Sequence, residues 1–251
     1  MLCCAGDVNW PAECAVVIPC LNEAATIGGL IAEIRRILPA VLVVDDGSTD
    51  ETSLIARQAG AEVIRHEEPA GKGAALNAGW RWASDHGFSW ALSMDGDGQH
   101  DPGDISRFLD RALNSRASLI VGNRMLNAPA IPWLRRRVNI WMSQRLSRLT
   151  GRTLPDTQCG FRMVELRCWT MLRLQTSHYE IESELLLGIL ATGHPVEFIP
   201  IRVIYSNQQS KIKPLLDTLR WFRWWQQANQ TWKNNLSFRP PVAKEAIKKF
   251  V

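Results

Sequence analysis

The chain predicts an α/β protein: a Rossmann-like, mostly parallel central sheet with helices on both faces. Short apolar runs without alternation suit strands buried on both sides, and stretches of helical spacing lie between them. The apolar runs also stop abruptly at Asp, Gly, Ser and Asn, which is turn chemistry. With 251 residues and 46% hydrophobic content, the chain can bury a full core.

The first strand is read at Cys14 to Pro19, followed by Asn22 as the cap of a helix from about Glu23 to Leu38. Val41 to Val44 is a second strand, ended by Asp45-Asp46-Gly47-Ser48, and Thr49 to Ala59 has helical spacing. Ala61 to Ile64, Gly73 to Asp85 and Trp90 to Met94 repeat the strand, helix, strand order. A helix near Gly103 to Asn114 then leads to a strand at Ser118 to Val121.

The rhythm breaks at residues 125–160, where no strand is evident. Val138, Trp141, Met142, Leu146 and Leu149 recur there at three- and four-residue steps, the mark of an amphipathic helix. Glu180 to Ala191 reads as a helix and Val196 to Ile204 as a strand interrupted at Pro200. Within the former, Glu180, Glu182 and Glu184 are expected mainly on a solvated face, with one of them a candidate for the acceptor site. The expected organisation is a catalytic domain over residues 1–213 and a basic, tryptophan-rich helical extension over 214–251.

Charge divides unevenly. Residues 1–134 carry 10 Lys/Arg and 17 Asp/Glu, a balance of −7, whereas 135–251 carry 19 and 8, a balance of +11. An acidic half for a metal and nucleotide, and a basic half for an anionic surface, fit that division. The six cysteines show no C-x-x-C spacing and suit a reducing compartment; Cys3-Cys4 is read as an incidental pair rather than an acylation site. Met1 to Pro11 lacks the basic start and apolar run of a signal peptide, and no stretch reaches the roughly 18 apolar residues of a spanning helix. The expected location is cytoplasmic, peripheral to the cytoplasmic face of a membrane.

In an open parallel sheet, ligands bind beyond the carboxyl ends of the strands. The residues there are Pro19-Cys20-Leu21-Asn22-Glu23, Asp45 to Asp50, Asp95-Gly96-Asp97-Gly98-Gln99-His100 and Gly122-Asn123-Arg124. Any one of these reads as a turn; four at one sheet edge read as a site. Asp95 and Asp97 are carboxylates one glycine apart, and their repulsion is relieved by a hard Mg²⁺ or Mn²⁺ that also binds diphosphate oxygens. Such an ion acts as a Lewis acid on a departing nucleoside diphosphate. His100 is a third candidate ligand, with a surface histidine as the plainer reading.

Through these four segments the sequence resembles the family 2 glycosyltransferases. With Asp156 to Arg162 (DTQCGFR) it is most similar to the branch that makes dolichyl- or polyprenyl-phosphate mannose or glucose, over roughly residues 14–213. The resemblance implies a glycosyltransferase A-type fold and inversion at the sugar carbon. It also implies Pro19, Leu21 and Glu23 around the nucleotide and Val44 and Asp46 at its base and ribose. Asp95, Gly96 and Asp97 would hold metal, diphosphate and sugar, with Gln99 assisting the metal. Arg124 would lie on the phosphate or sugar; the alternative is that it pairs with a nearby aspartate. Ser210-Lys211 matches a Ser-Lys whose lysine neutralises phosphate. Tyr205 stands where that branch keeps an arginine; either Arg202 substitutes from the same strand or the acceptor phosphate is held differently. The Q-x-x-R-W motif of processive polysaccharide synthases is absent from the sequence.

A hydroxyl acceptor needs a base, for which Asp156 is the candidate, against a helix cap or a partner of Arg162. A phosphate acceptor is already ionised and needs cations instead, which Arg135 to Arg137, Arg162, Arg202 and Lys211 supply. The expected reaction is therefore transfer from a GDP- or UDP-linked sugar to a lipid phosphate. The alternatives are a hydroxyl acceptor, a nucleotidyltransferase and a non-catalytic scaffold. Nucleic acid is not an expected partner.

From Pro214 to Lys233, Leu215, Leu219, Phe222, Trp225 and Trp232 share one side of a helix, broadened by Trp221 and Trp224 and flanked by Arg220, Arg223 and Lys233. Tryptophan with arginine suits a bilayer interface, the favoured expectation; packing on the core or on a second subunit is the alternative. Any membrane contact is expected to be peripheral or borrowed from a membrane-protein partner or a further copy of the chain.

Overall fold

The computed structural model describes residues 8–125, 132–204 and 214–234. Cys3, Cys4, Tyr205, Ser210 and Lys211, and the side chains of Leu215 and Lys233, lie outside the described residues.

A seven-stranded sheet carries the fold, in the order β3-β2-β1-β4-β6-β5-β7. Its strands are β1 Cys14–Cys20, β2 Val41–Asp45, β3 Glu62–Arg65, β4 Trp90–Ser93, β5 Leu119–Asn123, β6 Arg162–Glu165 and β7 Val196–Pro200. Every residue of β2 and all but Pro19 of β1 are buried, as expected of strands with helices on both faces. The helices are α1 Trp10–Glu13, α2 Ile27–Ile34, α3 Thr52–Gln58, α4 Lys72–Asp85, α5 Ile105–Asn114, α6 Trp133–Thr150, α7 Leu166–Trp169, α8 Ile181–Ala191 and α9 Pro214–Asn234. A 3₁₀ turn, Pro102–Asp104, leads into α5.

All strand pairs are parallel except those of β6, which runs antiparallel between β4 and β5. Among the described residues of 125–160 there is no strand, as expected, but β6 follows at once and the sequence reading missed it. Its reversed direction has a consequence for function. The start of β6, at Arg162, reaches the same sheet edge as the ends of β1, β2, β4 and β5. The DTQCGFR segment is thereby delivered beside Asp95.

The buried core runs on both sheet faces from Val16, Ile18 and Leu42 to Ile120 and Met163. Trp80 of α4 is fully buried and donates its indole N–H to Ser93 Oγ at 2.9 Å, so the largest core side chain leaves no unpaired donor. Cys14, Cys20, Cys159 and Cys168 are buried free thiols.

α9 turns its tryptophans inward, which is the alternative and not the favoured expectation for this helix. Trp221 is 2% exposed and donates to Ser183 Oγ of α8 at 2.9 Å. Its ring lies 5.5 Å from that of Trp141 on α6, and Arg145 is held between Trp141 and Trp225 at 5.1 and 5.2 Å. One aromatic cluster, Trp141 and Arg145 of α6 with Trp221, Phe222 and Trp225 of α9, joins the two helices. Their N-terminal ends leave Trp133 (70% exposed), Leu134, Leu216 and Leu219 open. Among the described residues, no helix is long and apolar enough to cross a membrane.

Candidate active site

The loop after β1 is built on the loop after β2. Asn22 takes a left-handed backbone (φ 54°), a conformation asparagine tolerates, and its side-chain oxygen accepts the Thr49 N–H at 2.7 Å. Ser48 Oγ and Thr52 Oγ1 accept the N–H groups of Asn22 and Glu23, each at 2.8 Å. Pro19, Leu21 and Glu23 are each partly buried along this edge, and Val44 is buried in β2.

Asp45 and Asp46 point to different tasks. Asp45 accepts from Ser48 N–H, Ser53 Oγ and Arg65, which fixes the turn itself. Asp46 reaches out to the segment before α4: its carboxylate accepts the Ala70 and Gly71 N–H groups at 2.9 and 2.7 Å and lies 2.7 Å from His66 Nδ1. That segment sets the next residue, Lys72.

Lys72 is the site residue that the sequence reading missed. Its Nζ lies 2.6 Å from Asp95 Oδ1 and 2.7 Å from Glu182 Oε1, above the Tyr179 ring. The local sequence Gly71-Lys72-Gly73 explains how it gets there. A Cβ at Gly71 would sit 2.3 Å from the Ser177 carbonyl oxygen, and one at Gly73 2.6 Å from that of Thr176. Only glycines on either side of Lys72 let residues 176–178 lie against the start of α4, where Ser177 C=O accepts the Gly73 and Ala74 N–H groups. A lysine enclosed by two glycines ahead of a helix is the signal that could have found it.

Glu182 overturns the solvated-face expectation for its helix. It is 3% exposed, Glu180 is 7% exposed, and Glu184 accepts the N–H groups of Gln175 and Thr176. Burial pushes the Glu180 carboxyl above its ordinary range. Burial would lower the Lys72 ammonium, but Asp95 and then Glu182 outweigh it and hold it well above the usual lysine value. Burial would likewise raise Asp95, yet Lys72 and then His100 keep it well below the usual carboxylate range.

His100 is buried, not a surface residue: it is 3% exposed, rests on Phe161, and has Nε2 3.3 Å from Asp95 Oδ2. A Cβ at Gly160 would meet both Asp95 oxygens at 2.6 Å, so the DTQCGFR segment closes directly over that carboxylate. Asp97 accepts the Gln99 N–H at 3.0 Å and has no cationic partner among the described residues.

Arg124 and Asp156 form one unit. Nε and Nη2 meet the two carboxylate oxygens at 2.8 and 2.9 Å, and the Arg124 N–H adds a third bond at 3.0 Å. The alternative weighed for Arg124, pairing with an aspartate, is thus what the structure contains; Asp156 pairs with it and not with Arg162. Burial opposes both charges, but each holds the other: Arg124 rises well above its usual value and Asp156 falls below. Arg162 is 1% exposed and donates to the carbonyls of Cys159 and Glu182 at 2.9 and 2.7 Å. Arg202 is two-thirds exposed and pairs with Asp101 and Asp104.

A metal at Asp95-Gly96-Asp97 fits these residues in one manner. Among the described residues, no three His, Cys, Asp or Glu side chains gather closely enough to cage an ion. Two carboxylates with Gln99 nearby suit an ion that takes the rest of its shell from phosphate and water, the habit of Mg²⁺ and Mn²⁺ at phosphoryl sites.

The sequence profile described as "Glycosyl transferase family 2" matches residues 15–168. This chain belongs to the family 2 glycosyltransferases. The glycosyltransferase is 31% identical over 205 residues to the dolichyl-phosphate hexose transferase of Haloferax volcanii, covering 80% of this chain and 87% of that relative. It is 35% identical over 159 residues to the polyprenol monophosphomannose synthase of Mycolicibacterium smegmatis, covering 59% of each. Its fold matches the glucosyl-3-phosphoglycerate synthase from Mycobacterium tuberculosis in complex with UDP, with a TM-score of 0.69 and 21% identity over 87% of this chain and 80% of that one. Another structure of that synthase, matching at a TM-score of 0.65, contains Mn²⁺, UDP and phosphoglyceric acid. The fold is therefore the glycosyltransferase A type, as expected.

Proposed function

We propose that this glycosyltransferase moves a hexosyl group, with inversion, from a GDP- or UDP-linked sugar to a polyprenyl or other lipid phosphate. One observation carries the choice of acceptor. Asp156, the candidate base, is engaged by Arg124, and Glu182 by Lys72. A hydroxyl acceptor needs a free base, whereas a phosphate acceptor is already ionised near neutral pH. The names of the relatives, a dolichyl-phosphate hexose transferase and a polyprenol monophosphomannose synthase, support the same class.

In this reading the nucleotide lies along Pro19, Leu21, Glu23, Val44 and Asp46, and the diphosphate lies at Asp95, Gly96 and Asp97. An acceptor phosphate oxygen attacks the anomeric carbon, the bond to the β-phosphate oxygen breaks, and the electron pair leaves with the nucleoside diphosphate. Asp95 and Asp97, with Gln99, would hold Mg²⁺ or Mn²⁺, which would supply Lewis-acid charge to that leaving group. Lys72 adds positive charge from the protein beside the same oxygens. Arg124, whose Nε and Nη2 are spent on Asp156, offers Nη1 to phosphate or sugar. Asp156 positions Arg124, and Arg162, turned to backbone carbonyls, positions the DTQCGFR segment. Arg202 and Ser210 are assigned to the acceptor phosphate, and Lys211 to the phosphates of the nucleotide sugar.

The lipid would be met at the N-terminal halves of α6 and α9, which expose Trp133, Leu134, Leu216 and Leu219 and also Arg136, Arg137 and Arg223. The contact is peripheral and on the cytoplasmic face of a membrane. Incubation with Mn²⁺, radiolabelled nucleotide sugars and polyprenyl phosphate tests the product: label should enter an organic-extractable glycosyl phosphate that mild acid cleaves. Label found only in an acid-stable glycoside would overturn the acceptor assignment.

A further inference from the structure

Each Asp95 oxygen has a nitrogen neighbour, although the side chain stays about a quarter exposed. Lys72 lies on Oδ1 at 2.6 Å and His100 Nε2 is 3.3 Å from Oδ2, while Glu182, 3% exposed, holds Lys72 from the far side at 2.7 Å. One ammonium thus serves two carboxylates brought from different elements, the loop after β4 and helix α8. A hard cation needs a carboxylate oxygen at about 2.0–2.2 Å and so competes for the place the ammonium occupies. It also brings a double positive charge next to a lysine that Asp95 shares with Glu182.

We infer that Lys72 is a built-in counter-ion that keeps a divalent metal off Asp95 until a nucleoside diphosphate arrives, so that metal and nucleotide bind as a coupled pair. The inference rests on the donor-site reading above. A diphosphate carries the negative charge that both cations need: Lys72 turns to its oxygens and releases Asp95 Oδ1. Each ligand then raises the other's affinity by the same factor, as linkage requires. Without the lysine, Asp95 and Glu182 face one another with no counter-charge, and the metal is drawn in without nucleotide.

The test is calorimetric titration of the full chain with Mn²⁺ alone, and with UDP or GDP at saturating Mn²⁺ or in EDTA. The wild type should bind nucleotide at least about tenfold more tightly with Mn²⁺ than without, and should bind Mn²⁺ alone weakly. Lys72→Met should bind Mn²⁺ alone about tenfold more tightly than wild type and lose most of the coupling. Glu182→Gln, by leaving Lys72 wholly to Asp95, should bind Mn²⁺ alone more weakly still. Lys72→Arg should keep the coupling, and circular dichroism checks the fold of each variant. If Lys72→Met does not fold, the opposite shift expected of Glu182→Gln decides. Nucleotide binding that is indifferent to Mn²⁺, or variants that leave Mn²⁺ affinity unchanged, overturns the inference alone. Absence of nucleotide binding under every condition overturns the donor-site reading and the inference with it.

Discussion

The Arg124 guanidinium grips the Asp156 carboxylate through Nε and Nη2 at 2.8 and 2.9 Å, with Asp156 fully buried and Arg124 6% exposed. Removing one partner of such a pair leaves the other charged and without compensation. Asp156→Asn should therefore cost about 3–5 kcal/mol of stability at pH 7, measured by urea unfolding. The pH dependence follows from the lowered Asp156 carboxyl. A carboxylate whose folded value lies below its unfolded value of about 3.9 contributes stability above that value and loses it as pH falls through the folded one. The gap between wild type and Asp156→Asn should stay constant above about pH 5 and close in stronger acid. A variant within about 0.5 kcal/mol of wild type at pH 7 would contradict the pairing.

Gly73 sets Lys72. A methyl group there would lie 2.6 Å from the Thr176 carbonyl oxygen and 2.8 Å from the Ser177 carbonyl carbon, backbone atoms with little room to move. Gly73→Ala should destabilise the protein by about 1–3 kcal/mol and, by pushing Lys72 off Asp95, lower kcat more than it raises KM. Steady-state kinetics beside a thermal melt separates the two effects. Unchanged kcat in a folded variant would remove Lys72 from the transition state.

The two faces of α9 should respond differently. Trp221→Ala removes a buried indole and its bond to Ser183, and should cost about 3–5 kcal/mol. Leu219 is 56% exposed, and Leu219→Glu together with Trp133→Glu should change stability by no more than about 0.5 kcal/mol for each substitution. The double variant should nevertheless lose most sedimentation with anionic phospholipid vesicles. Equal vesicle binding by wild type and variant would remove this end of α6 and α9 from the membrane contact.

Much of this arrangement was legible in the sequence because buried parallel strands need continuous apolar runs, which Val41 to Val44 and Cys14 to Ile18 display, and because the polar loops after them fall on one edge. β6 was not, since Arg162–Glu165 is four residues long with a charge at each end. Arg162 is buried only because backbone carbonyls from residues 159 and 182 satisfy it. Glu182 was misread for a similar reason: a helical pattern gives its angle on α8, but not that Lys72 from another helix waits there. The tryptophans of α9 suit a lipid interface or a protein core equally by composition, and the burial of Trp221 against Trp141 and Ser183 decides for the core.

The central claim is that the sugar leaves a nucleoside diphosphate for a lipid phosphate. The direct test is the rate of nucleoside diphosphate release with Mn²⁺ and a panel of GDP- and UDP-linked sugars, in the presence of polyprenyl phosphate, of the corresponding polyprenol, or of neither. Fast release with one donor that depends on polyprenyl phosphate is the predicted result. Release that is as fast with the polyprenol, or without either lipid, would contradict it.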